Sequence, residues 1–87
     1  MNTIQILRNK ATELGITSKN ADIYNDKISD NERYFRVKIG RSYKFEIKEL
    51  ATFAGNLPDV LDIKIYTPMI EEVKAPWMIA LSVKIGE

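Results

Sequence analysis

Arg33-Tyr34-Phe35-Arg36-Val37-Lys38-Ile39-Gly40-Arg41-Ser42-Tyr43-Lys44-Phe45-Glu46-Ile47-Lys48 alternates apolar and polar residues on both sides of a Gly-Arg-Ser break. A period of two on each side of a short polar break predicts an antiparallel hairpin with one buried face. Directly opposed residues of such a pair share a face, so Phe35, Val37 and Ile39 must meet Tyr43, Phe45 and Ile47. Pairing Ile39 with Tyr43 satisfies this and leaves Gly40-Arg41-Ser42 as a three-residue loop, or a two-residue loop with a bulge. The outer face then carries Tyr34, Arg36, Lys38, Lys44 and Lys48, with Arg41 at the tip. The stretch holds six of the thirteen basic residues against one acid, Glu46, and is the main charge feature of a chain whose net charge is +1.

On the N-terminal side, Ile4, Leu7, Ala11 and Leu14 recur at helical spacing. Thr3 is the expected N-cap, Gly15 the left-handed residue after the helix, and Ile16 the apolar residue that folds back on its last turn. A helix is expected over Thr3 to Leu14. From Thr17 to Asn31 two readings compete. One is a second helix capped by Thr17 or Ser18 and carrying Ala21, Ile23, Tyr24, Lys27 and Ile28. The other is an edge strand around Ile23 and Tyr24, followed by a Ser29-Asp30-Asn31-Glu32 turn. The helix is the preferred reading.

On the C-terminal side, Lys48 to Asn56 reads as a short helix with Leu50, Phe53 and Ala54 on its apolar side, ended by Gly55-Asn56 and Pro58. Val60 to Thr67 alternates again, with Leu61, Ile63 and Ile65 inward. Pro68 to Pro76 is a connection with room for one helical turn after Thr67-Pro68. Trp77 to Ile85 is the last strand. Its inner face (Trp77, Ile79, Leu81, Val83, Ile85) is apolar and its outer face bland (Met78, Ala80, Ser82), the pattern of a strand inside a sheet. The expected fold is therefore a single two-layer α+β domain over 1–87. A four-stranded antiparallel sheet of two hairpins packs on two or three helices, in the order α(α)ββαββ.

Composition narrows the chemistry. Without cysteine or histidine there is no disulfide, no Cys/His zinc site, no thiol nucleophile and no imidazole acid or base. No cofactor or metal is expected. The longest apolar run, Trp77 to Leu81, is far below the ~18 residues that span a bilayer. Asn2, Thr3, Gln5 and Arg8 break up any signal-peptide core. A cytoplasmic protein without a membrane partner is the expectation, and heavy use of Ile, Lys and Asn hints at a bacterial or phage source.

Lys10 to Ser18 partly resembles the turn of a helix-turn-helix, with the basic hairpin as a wing, although Lys10 takes a position such motifs give to a core residue. Asn20, Asp22, Asn25, Asp26 and Asp30 miss the spacing of a calcium loop, which needs glycine where Asn25 stands. The pairs Asp59/Asp62 and Glu71/Glu72 have no converging second group of the kind a hydrolase needs. Met69 and Ile70, with Val73 between two prolines, are hard to bury together and suggest a protein-contact surface.

Together these features point to a non-enzymatic binding protein that contacts a macromolecule, as an inhibitor, adaptor or accessory protein of the kind phages and mobile elements direct at host machinery. The expected contact residues are Tyr34, Arg36, Lys38, Arg41, Lys44, Lys48, Met69 and Ile70. A protein is the first expected partner and a nucleic acid, held by the basic hairpin 33–48, the second; a homodimer is compatible with so small a chain.

Overall fold

A computed structural model describes residues 2–86; Met1 and Glu87, the ends of the expected 1–87 domain, lie outside the described residues. The first element, α1 (Thr3–Glu13), is capped by Asn2, whose side chain accepts a hydrogen bond from the Gln5 N–H at 2.9 Å. Thr3, the expected cap, instead donates its hydroxyl to Asp59. The other end follows the sequence closely. Gly15 takes φ +81°, its N–H reaches the Thr12 carbonyl, and the Ile16 N–H reaches the Ala11 carbonyl at 2.8 Å while the Ile16 side chain is fully buried. This pair of bonds closes the helix on its own orphan carbonyls.

The segment after Gly15 corrects the preferred helix. Asn20 ties the turn: its amide nitrogen donates to the Gly15 carbonyl, and its oxygen accepts from the Thr17 N–H. That arrangement competes with helix initiation and releases the chain as a strand. The strand is β1 (Ala21–Lys27), followed after a short turn by β2 (Glu32–Gly40), and the two pair antiparallel from Ala21 opposite Ile39 to Lys27 opposite Arg33. A strand and not a helix comes next after α1, so the helix-turn-helix likeness ends at Gly15.

The stretch from Arg33 to Lys48 is likewise half hairpin arm and half helix. Beyond Gly40 a 3-10 turn (Arg41–Tyr43) leads into α2 (Lys44–Ala54), one helix that absorbs both the expected second arm and the expected short helix. Ile47, Leu50 and Ala54 are buried, with Tyr43 packed against them, at i, i+4, i+7 and i+11. Tyr43 and Ile47 satisfy either period; Phe45 separates the two, and it is 70% exposed. A strand would have buried it.

After α2 come β3 (Val60–Tyr66), a small hairpin of β4 (Met69–Ile70) and β5 (Val73–Lys74), and β6 (Met78–Gly86). The main sheet is four-stranded and antiparallel, in the order β1-β2-β6-β3. β6 is central, as its two-sided burial implied. β2 and β3 flank it and run parallel to each other, joined through α2, so β2-α2-β3 is a split β-α-β unit with β6 inserted. The α+β class and the four antiparallel strands stand as expected, with β1 in the place of the lost arm.

Both helices cover one face of the sheet. The core lies between the layers, where Leu7, Ala11 and Ile16 meet Phe35, Val37, Ile39, Ile47, Leu50, Leu81 and Val83. Each of these side chains larger than alanine contributes roughly 1.5–3 kcal/mol by burial. Lys10, half-buried on α1, reaches over the Phe53 ring of α2 and pairs with Glu13. Two inward expectations fail on β3. Leu61 is the bulged residue, turned over Gly86 and 57% exposed, and Ile65 is exposed on a sheet edge.

Candidate binding surfaces

The face of the sheet away from the helices is bare. Register sets its residues in rows across the four strands. Asp26, Tyr34, Lys84 and Asp62 form one row; Tyr24, Arg36, Ser82 and Lys64 the next; Asp22, Lys38, Ala80 and Tyr66 the third. Of the predicted contact residues, Tyr34, Arg36 and Lys38 stand here together. Arg36 lies over the Tyr34 ring at 4.2 Å, meets Asp26 at 3.2 Å, and its Nε donates to the Ser82 hydroxyl. Lys38 lies over Tyr24 and Lys84 pairs with Glu32. Because Ala80 and Ser82 are small, the centre of the face sinks into a shallow groove of about 250 Å³ between Tyr34 and Arg36 on one side and Asp62, Lys64 and Tyr66 on the other. Its cations are matched by acids brought in by β1 and β3, which the sequence order did not place beside them.

Lys44 and Lys48 do not join that face. They belong to α2 in the other layer, where Lys44 stacks over Phe45. Arg41 is not a free tip either. Gly40 is paired with Met78, which brings Arg41 beside Trp77. Its N–H donates to the Trp77 carbonyl at 2.9 Å, its Nε to the Pro76 carbonyl at 2.7 Å, and a terminal nitrogen to the Thr67 hydroxyl at 2.8 Å. The basic cluster of the sequence is thus divided among a sheet face, a helix and a structural clamp.

What Arg41 clamps is the second surface. Between Thr67 and Trp77 the chain forms an arm rather than a loop with a helical turn. Met69 pairs with Lys74 and Ile70 with Val73. Glu71 (φ +49°) and Glu72 (φ +68°) make the two-residue turn, the left-handed pairing that matches strand twist in tight hairpins. Pro68 and Ala75 are buried and anchor the base, where the Ala75 N–H donates to the Pro68 carbonyl. Beyond that anchor the side chains stand in solvent: Met69 is 55% exposed, Ile70 42%, Val73 65% and Trp77 63%. Trp77, expected in the core, precedes β6 and lies outside it. The sequence flagged Met69, Ile70 and Val73 together; what it did not show is that Val73 pairs with Ile70 across the two glutamates as a hairpin.

Several of the candidate Asp and Asn side chains serve other ends. Asp59 accepts from Thr3, Asn25 from Arg8 and Asp26 from Arg36, while Asp30 pairs with Lys27. Among the described residues no cluster of three or more carboxylates could hold a metal ion. No helix among the described residues is long and apolar enough to cross a membrane. Comparison with protein-family models, curated proteins and solved structures gives no match for this chain.

Proposed function

We propose that this chain is a non-enzymatic binding protein whose first partner is another protein, contacted by the arm over 69–74 together with Trp77. The observation that carries the reading is the run of exposed apolar side chains, Met69, Ile70, Val73 and Trp77, held on a short hairpin by buried Pro68 and Ala75 and by Arg41. Apolar side chains gathered on a rigid projection suit insertion into an apolar recess of a partner. Glu71 and Glu72 at the tip suit a basic rim around that recess. An inhibitor, adaptor or accessory role follows from contact without chemistry. Encoding by a phage or mobile element rests on the small size and residue usage alone.

Nucleic-acid binding is the second reading, favoured by the groove in which Tyr34 and Tyr66 stand near Arg36 and Lys64. Tyrosines with cations suit stacking on bases, but the interleaved acids oppose a phosphate backbone. The test is affinity capture by the full chain and two variants. Ile70→Asp with Val73→Asp should lose the captured protein while the thermal melt is unchanged, and Arg36→Glu with Lys38→Glu should retain it. Capture that survives the arm changes and fails with the face changes would reverse the assignment.

A further inference from the structure

The two edges of the main sheet differ in kind. β1 is blunted by exposed Asp22, Asn25, Asp26 and Lys27. β3 leaves Leu61, Ile65 and Tyr66 exposed along its length and has no proline between Val60 and Tyr66. An edge strand presents unpaired N–H and C=O groups, and one with apolar side chains is a template for another strand. We propose that a second copy of this chain pairs its own β3 antiparallel with this edge, joining two sheets about a two-fold axis at Ile63.

Face and charge together select the register. Residues opposed in an antiparallel pair must share a face, so a two-fold pairing along the regular part of β3 sets even-numbered residues opposite even and odd opposite odd. Asp62, Lys64 and Tyr66 lie on the bare face with their β6 partners Lys84, Ser82 and Ala80, whereas Ile63 is paired with buried Val83 on the helix side. Centring the axis on Asp62 opposes it to itself, and centring on Lys64 does the same to the lysine; both are like-charge pairs. Centring on Ile63 sets Asp62 opposite Lys64 of the second copy and, by symmetry, Lys64 opposite its Asp62. Ile63 then meets Ile63 across the axis. Such a contact is isologous and closes on itself as a dimer rather than a fibre. Within one protomer neither Asp62 nor Lys64 is in an ion pair among the described residues, so both charges are available to the second copy.

Sedimentation of the full chain over a concentration series tests the pairing. The expected result is a reversible dimer that Lys64→Asp weakens roughly tenfold, because two attractive cross-strand pairs become repulsive. Asp62→Lys should do the same, and the two variants mixed should form a heterodimer, since every pair is then opposite in sign. Lys64→Asp faces Ser82 in its own sheet and is the safer variant for the fold; Asp62→Lys stands beside Lys84, so its melt is recorded first, and Lys64→Glu repeats the homotypic test if it unfolds. A chain that stays monomeric to about 1 mM overturns the proposal. So does a dimer indifferent to Lys64→Asp, or folded variants that fail to pair when mixed.

Discussion

Arg41 acts as a clamp because one planar guanidinium reaches two acceptors that a point charge could not span. It holds the Pro76 carbonyl and the Thr67 hydroxyl at the two ends of the arm. Both bonds are exposed, so Arg41→Ala is expected to cost only about 1 kcal/mol in global stability. The sharper effect is local: amide exchange at Ala75, whose N–H closes the base of the arm, should accelerate while exchange in β2 and β6 stays unchanged. Arg41→Lys should behave like the alanine. At the tip, Glu71 and Glu72 both hold left-handed backbone without glycine, a conformation worth about 1 kcal/mol or more of strain per residue. Glu71→Asn with Glu72→Gly should therefore raise the denaturation midpoint by the equivalent of roughly 1 kcal/mol at constant slope. Neither residue's role was legible beforehand. An arginine after a glycine reads as a turn tip, and two glutamates read as solvated charge, until the strand partners of Gly40 and Ile70 are known.

At the scale of elements, the stretch from Arg33 to Lys48 shows where sequence pattern stops deciding. Up to Ile39 the period of two is unambiguous, and Phe35, Val37 and Ile39 are buried as read. Beyond Gly40, Tyr43 and Ile47 also satisfy a helix through Leu50 and Ala54, and length favours the helix because about three turns of apolar spacing outweigh one short arm. The two readings part in a measurable way. Phe45→Lys should change stability by no more than about 0.5 kcal/mol, as surface substitutions do, whereas Ile47→Ala should cost about 2–5 kcal/mol by leaving a core cavity. A strand would make the two losses alike; paired denaturant melts decide it. At β1 the helix reading outranks the edge-strand reading for a related reason. Ala21, Ile23, Tyr24 and Ile28 carry a helical spacing as well as an alternating one, and the bonds of Asn20 to Gly15 and Thr17, invisible as a pattern, select the strand. β2, β3 and β6 lie where the alternation put them, although Leu61, Ile65 and Trp77 escape the buried face.

For the whole molecule, the consequence of this layering is a separation of surfaces. The helices take one face of the sheet, the bare face carries balanced charge, the arm leaves at one end, and β3 remains an open edge. Pairing through β3 would set the bases of the two arms at opposite ends of the new junction, roughly 27 Å apart by strand rise, and so present two copies of the contact surface. The charge balance bears most directly on the choice between protein and nucleic acid. The sequence concentrated cations in one stretch, but folding set Asp22, Asp26 and Asp62 among Arg36, Lys38 and Lys64 and sent Lys44 and Lys48 to the other layer. A face of that kind releases few counterions. Each neutralised phosphate of a single strand adds about −0.7 to the slope of log affinity against log salt. Fluorescence anisotropy with a random single-stranded oligonucleotide should therefore show no binding near 0.15 M salt, a physiological ionic strength. A slope of about −3 or steeper, abolished by Arg36→Glu with Lys38→Glu, would require several cations acting together against the acids between them and would move the function to nucleic acid.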